Sequence, residues 1–237
     1  MVRIGIIETG QPQDVFAARH GYFPDMFKNY FSGAQGLTFS THQVFKGARI
    51  PDPKDCDAWI ITGSPHGVYE SHAWLPPLMG MVRATLENDR PMLGICFGHQ
   101  LMAQACGGQV VQSDRGWGIG VHEYALTDAG QAMIMPEEKL NLLAMHQDQV
   151  VKLPANGTVL AQSIFCPYAA IAYGASGLSF QGHPEFTAAF ERDLISSRRD
   201  DGIIPGQIAD AGLSTLDNSR VDAENLAPIL ARFLMRG

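Results

Sequence analysis

The chain has 237 residues, 46% hydrophobic and 17% charged, enough apolar material for one α/β domain with a full core. Its formal net charge is −7 with no Lys/Arg-rich run, which argues against a nucleic-acid or anionic-membrane partner. No stretch approaches the ~20 apolar residues of a spanning helix, and the apolar start is too short for a signal peptide. The cysteines, at 56, 96, 106 and 166, include no Cys-x-x-Cys pair, so the expectation is a reducing cytoplasm, no metal and no cofactor.

Val2 to Glu8 is an apolar first strand, and Gln11 to Gly21, polar and holding Pro12, reads as a loop at its carboxyl end. Tyr22 to Phe31 is predicted helical, with Phe23, Met26, Phe27, Tyr30 and Phe31 three and four apart on a core-facing stripe. Gly36 to Phe45 is a second strand of mixed polarity, nearer an edge. Asp57 to Thr62 is a third strand running into Gly63-Ser64-Pro65, Leu78 to Asn88 a helix, and Arg90 to Cys96 a fourth strand. Leu101 to Ala105 continues a helix after the cysteine, ended by Gly107-Gly108.

From Gln109 to Tyr173 short Val/Ile-rich pieces alternate with turn residues, which suggests a small, partly antiparallel extension. Leu178 to Gly182 is a further strand ending at His183-Pro184-Glu185, and Thr187 caps a helix to Arg199. Asp200 to Ser219 carries no clear periodicity. Asn225 to Met235 is a closing helix with Pro228 in its first turn. Apolar strands alternating with helices predict an α/β fold: a doubly wound, mostly parallel sheet with helices on both faces. The whole chain, 1–237, reads as one domain, with the tail from about 187 packed on it.

Ligands bind at the carboxyl ends of parallel strands. Four loops meet that condition: Gly10 onward, Gly63-Ser64-Pro65, Cys96-Phe97-Gly98 and His183-Pro184-Glu185. A cysteine bracketed by Gly94 and Gly98 at a strand-to-helix turn is raised from the sheet edge, near a helix N-terminus that favours its thiolate. A buried structural cysteine is the alternative. Residues two apart in an extended segment share a face, so the Glu185 carboxylate can reach the His183 ring, and Pro184 biases His183 towards that conformation. Thiol, imidazole and carboxylate then make a nucleophile, base and orienter.

Gly94-Ile-Cys96-Phe-Gly-His-Gln100 with Gly182-His183-Pro-Glu185 resembles the class I, triad-type glutamine amidotransferases, flavodoxin-like in fold. The resemblance is greatest to stand-alone members similar to the glutaminase part of GMP synthetase. Thr62-Gly63-Ser64-Pro65, Gly107-Gly108 and Met145-His-Gln-Asp-Gln-Val150 follow the family's order. The resemblance implies Cys96 as nucleophile, His183 as general base and acid, and Glu185 as its partner. It implies an oxyanion hole from the Phe97 N–H and one from Gly63-Ser64, with Gln100, Gln147 and Asp148 at the amino-acid end of a bound glutamine. The reaction it implies releases glutamate and ammonia through a γ-glutamyl thioester.

His99 is expected on the helix flank, Cys106 in the core and Arg198 to Asp201 at a solvated helix end. His122-Glu123 lacks the second histidine of a zinc helix. His146 and Asp148 either shape a turn or support the site. After Glu185 no nucleotide-activating loop is visible, so any amination would need a separate synthase subunit. The alternatives are a self-sufficient hydrolase of γ-glutamyl amides or peptides, and a binding or regulatory protein with an idle triad; all take a small-molecule substrate or ligand.

Overall fold

The computed structural model describes residues 1–236; Gly237 lies outside them. The first half of the chain forms β1 (Val2–Glu8), α1 (Asp14–His20), α2 (Phe23–Tyr30), β2 (Leu37–Gln43), β3 (Ala58–Ile61), α3 (Leu75–Glu87), β4 (Met92–Ile95) and α4 (Phe97–Ala105). The middle follows with β5 (Gln109–Gln112), β6 (Gly118–Leu126), α5 (Asp128–Met133), β7 (Lys139–His146) and β8 (Asp148–Lys152). The rest comprises β9 (Gly157–Gln162), β10 (Ala170–Tyr173), β11 (Gly177–Phe180), α6 (Ala188–Asp200), α7 (Gly206–Asn218) and α8 (Ala223–Leu234).

The main sheet has the order β2-β1-β3-β4-β11-β10-β9-β6-β7. Its first five strands are parallel, and the remaining four add an antiparallel extension. β5 and β8 form a separate antiparallel pair. Alternation along the parallel strands divides the core in two. Ile4, Ile6, Ala58, Ile60, Leu93 and Ile95 face one side, where Phe27 of α2 and Leu226, Leu230 and Phe233 of α8 cover them. Ile7, Trp59, Ile61 and Met92 face the other, beneath Leu78 and Val82 of α3 and Leu101 and Met102 of α4. Strands covered on both faces explain the unbroken apolar runs, whereas β2, at the edge, alternates exposed with half-buried residues.

Register decides which loops meet. β4 and β11 run level, with Met92 opposite Gly177 and Ile95 opposite Phe180, and the Cys96 N–H donates to the Phe180 carbonyl at 2.8 Å. Gly94 pairs with Ile61, and Ile61 with Ile7. The chain segments after Ile7, Ile61, Ile95 and Phe180 therefore emerge along one edge of the sheet.

Two expectations need correction, and the segment 200–219, which carries no prediction, takes a definite form. The segment 11–21 is not all loop: α1 occupies Asp14–His20, with Asp14 in its first turn, Arg19 and His20 in its last, and only Phe16 buried. Charges of that polarity suit the helix dipole, but seven residues with one buried side chain leave no periodicity to read. The segment 200–219 holds α7, whose buried face consists of the small residues Ala209 and Gly212. Small side chains let α7 approach β6 closely; the Thr215 hydroxyl accepts from the Val121 N–H at 2.8 Å. Pro228 lies inside α8 rather than in its first turn, because the helix starts at Ala223. The missing Pro228 N–H costs a helical bond, offset by burial of Leu226, Leu230, Phe233 and Leu234. No helix among the described residues is long and apolar enough to cross a membrane.

Candidate active site

Cys96 joins β4 directly to α4 with φ 53° and ψ −103°, a conformation that costs an L-residue about 1–3 kcal/mol. Its neighbours permit the turn. A Cβ on Gly94 would sit 2.6 Å from the Gly98 carbonyl oxygen, and one on Gly98 would sit 2.4 Å from that of Ile61. The turn lifts Cys96 towards the cleft and leaves the Phe97 N–H at the first helical position, where no intrahelical acceptor exists.

His183 is anchored by its N–H to the Leu143 carbonyl at 2.7 Å, and its ring stacks on Phe186 with centroids 3.8 Å apart. Its Nδ1 lies 2.8 Å from Glu185 Oε1, with the two side chains 3% and 0% exposed. Its ring and the Cys96 side chain both border Gly63, and the Cys96 thiol donates to the Met145 carbonyl at 4.0 Å. Burial opposes a charged ring, but the charges of Glu185 and Cys96 and the hydrogen bond to Glu185 outweigh it and raise the His183 pKa. Among the described residues, His183 is the hydrogen-bond partner of the Glu185 carboxylate.

Gly63 completes the centre. A Cβ there would meet His183 Cε1 at 3.1 Å, a tight contact that would press on the imidazole, and Cys96 Cβ at 3.8 Å, so glycine suits the close approach of this loop. The loop is pinned from beneath: the Thr9 hydroxyl donates to the carbonyls of Thr62 and Gly63 at 3.1 and 3.2 Å. Ser64 Oγ donates to the Thr9 carbonyl at 2.8 Å and accepts the His66 N–H at 3.1 Å.

These residues open into a cavity of about 540 Å³. Gln100, Gln147, Asp148 and Tyr69 line its polar part. Gln100 Nε2 donates to the Asp148 carbonyl at 2.9 Å and to Gln181 Oε1 at 3.1 Å, bracing the β7–β8 turn. The Tyr69 hydroxyl donates to the Asp148 carboxylate at 3.0 Å, and Gln112 donates to Gln147 Oε1 at 2.8 Å. Burial raises the Asp148 pKa and, with the Asp148 charge beside it, pushes the Tyr69 hydroxyl up to about 12. Phe16, Phe23, Trp117, Phe186, Phe190 and Leu194 form an aromatic and apolar part.

His99 is fully buried with Nδ1 2.8 Å from Ser179 Oγ, a packing position away from the cleft. Cys106 packs half-buried against the α3–α4 core. His146 is buried beside His122, its Nδ1 3.1 Å from the Asp148 carbonyl, and burial first, then His122, push its pKa down to about 3. That neutral ring shapes the turn. Arg198 departs from the expected solvated helix end. It is half-buried, lines the cavity, and stacks its guanidinium 5.2 Å above the Trp117 ring, with no salt bridge to any described residue. Helical periodicity alone does not say that this end of α6 overlooks the cleft.

Glu191 was not singled out by the sequence, yet it is fully buried next to the His–Glu pair, with Oε1 3.3 Å from the Gly120 N–H and Oε2 unpartnered. Burial, against the opposing pull of His183, Gly120 and Arg198, raises its pKa from 4.5 to about 8. The folded chain thus holds this proton more tightly than the unfolded one, and stability falls as pH rises from 4.5 towards about 8. Glu191→Gln keeps the Gly120 bond and cannot ionise. Its melting temperature is expected to decline less than the wild type's across that window; parallel curves would refute the assignment.

A strand-to-helix thiol beside a buried His–Glu pair, at the carboxyl edge of a parallel sheet, is an arrangement of hydrolase type. Residues 34–197 match the family model for glutamine amidotransferase class-I, and the chain belongs to that family. It is 27% identical to gamma-glutamyl peptidase 4 of Arabidopsis thaliana over 95% of this chain and 92% of that protein. It is 38% identical to the glutamine-hydrolyzing GMP synthase of Chromobacterium violaceum, over 55% of this chain and 25% of that one. A crystal structure of a glutamine amido transferase from Methylobacillus flagellatus superposes with TM-score 0.79 at 19% identity, covering 100% of this chain and 95% of that one. This last likeness concerns the fold.

Proposed function

We propose that the chain hydrolyses γ-glutamyl amide bonds through a covalent thioester on Cys96. The observation that carries this reading is the meeting of Cys96, the His183–Glu185 pair and Gly63 around one point. Cys96 passes its thiol proton to His183 as Sγ attacks the γ-carbonyl carbon, and the developing oxyanion accepts from the Phe97 N–H and one of the Gly63-Ser64 loop. His183 delivers its proton to the leaving amine as the C–N bond breaks. Water, deprotonated by His183, then attacks the γ-glutamyl thioester, releasing glutamate and restoring the thiol. Glu185 holds the imidazole in position and stabilises its charged form. The polar part of the cleft, with Gln100, Gln147 and Asp148, receives the amino-acid end of the γ-glutamyl group.

The rest of the cavity supports one reading of the leaving group. At about 540 Å³ it falls in the range of roughly 300–1,000 Å³ typical of drug-sized ligands, well beyond the needs of free glutamine. Its aromatic part and Arg198, which has no salt bridge among the described residues, favour an amine that carries an apolar group and a carboxylate. The preferred substrate on this reading is a γ-glutamyl peptide, with glutamine as the minimal one. A glutaminase feeding ammonia to a separate synthase subunit is the competing assignment, and it requires glutamine turnover that rises when the partner is added.

The test is release of glutamate from glutamine, from γ-glutamyl dipeptides and from the same dipeptides with an amidated C-terminus. The free-acid dipeptides are expected to be turned over fastest. Arg198→Met, which keeps the apolar stem, is expected to raise KM for the free acids about tenfold, the worth of one charge-assisted hydrogen bond. The amidated peptides should be unaffected. An equal effect on both, or glutamine as the fastest substrate, would sink the peptide assignment.

A further inference from the structure

The loop between Gly63 and α3 carries a cluster of ligand-type side chains that the chemistry above does not use. His66-Gly-Val-Tyr-Glu70-Ser-His72 brings two imidazoles and a carboxylate together. His66 Nδ1 lies 3.3 Å and His72 Nε2 2.7 Å from the same atom, Glu70 Oε2. All three donor atoms lie within 4.8 Å of one another. Glu70 is itself fixed, because its Oε1 accepts the Gly67 N–H at 2.7 Å. The three side chains are 33%, 41% and 31% exposed, so the cluster is open to ions from solvent.

We propose that His66, Glu70 and His72 bind one transition-metal dication of the zinc type at the lip of the cleft. Two neutral imidazoles with one carboxylate suit zinc and its neighbours, whereas magnesium and calcium prefer all-oxygen sets. Zinc bonds of about 2.0–2.2 Å place tetrahedral donors roughly 3.3 Å apart. The His66–Glu70 separation already has that value, and the His72–Glu70 pair, at 2.7 Å, has to part by about 0.6 Å to reach it. Three protein ligands leave one position for water.

The site's position gives the ion a consequence. His72 stacks on Trp74, with centroids 5.5 Å apart and rings 14° from parallel, and Trp74 packs 5.9 Å from the Phe97 ring. The same loop carries Gly63, Ser64 and Tyr69. A bound ion fixes this loop in the form that faces Cys96 and places a metal beside the Trp74 indole.

Cobalt(II) reports both features, through its visible absorption and its quenching of tryptophan fluorescence, with zinc(II) as competitor. The full chain carrying Cys96→Ala removes the alternative thiol–imidazole site. One equivalent of cobalt should bind it with Kd of roughly 10 µM or tighter, without thiolate charge-transfer absorption, and quench Trp74. His66→Gln and His72→Gln, each added to that background, should weaken binding by more than the roughly 10–100-fold that loss of an outer-shell partner costs. Unchanged melting temperatures in metal-free buffer establish that the variants are folded, and Trp74→Phe removes the quench without removing the absorption. Weaker binding than that threshold, binding indifferent to both histidine variants, or binding lost with Cys96 alone would overturn the site.

Discussion

Replacing Cys96 with alanine is expected to lower γ-glutamyl hydrolysis by roughly 10⁴-fold or more, the scale seen when a triad loses its nucleophile. The thiol at the elbow is the group that forms the covalent intermediate on this reading, and residue 96 is buried beside His183. Folding should be little changed, because alanine relieves none of the backbone constraint at φ 53° and removes a single sulfur. Glu185→Gln gives the internal comparison. It keeps the shape but loses the charge that favours imidazolium, so a smaller loss is expected, with residual turnover well above that of Cys96→Ala. Activity in Cys96→Ala within tenfold of wild type, measured as glutamate released from a γ-glutamyl dipeptide, would remove the basis of the assignment.

The second large effect is structural. Gly98→Ala places a methyl group 2.4 Å from the Ile61 carbonyl oxygen and 2.9 Å from the Ile61 Cβ, both parts of the central strand β3. Neither contact belongs to the far end of a flexible side chain, so α4 itself has to move, and Cys96 and Phe97 with it. Overpacking of this kind costs about 3 kcal/mol. For a chain of this size that corresponds to a melting temperature lower by roughly 6–12 °C. Turnover by the folded fraction should fall as well, because the displaced α4 carries the Phe97 N–H. Gly33→Ala is the control: nothing lies within 4 Å of the added carbon, and no comparable shift is expected. A Gly98→Ala protein melting within about 2 °C of wild type would show that β3 and α4 are not packed as described.

The two halves of the site were legible for different reasons. Cys96 between two glycines, and His183 two residues before Glu185, are local patterns whose spacing translates directly into turn geometry and a shared face. That they lie together rests on the level register of β4 with β11, which no local pattern states. The parallel strands were readable because burial on both faces makes them apolar throughout. β7 and β8 are not, since their segment shows no period beyond the motif around His146 and Asp148. Arg198 departs from expectation because a charged helix end has the same sequence whether it meets water or a cleft; the difference is Trp117, brought alongside by β6. The triplet His66, Glu70 and His72 lies on an irregular loop, where spacing carries no fixed geometry. Glu191 sits among charged residues of α6 and gave no sign of burial.

Rapid quenching of the wild-type enzyme during turnover of a γ-glutamyl dipeptide, followed by intact-mass analysis and peptide mapping, tests the central chemistry most directly. The expected result is a hydroxylamine-sensitive γ-glutamyl adduct on the peptide containing Cys96, formed and lost at rates that account for the release of glutamate. Steady release of glutamate with no adduct at Cys96, or no release and no adduct from glutamine and γ-glutamyl peptides alike, would contradict it.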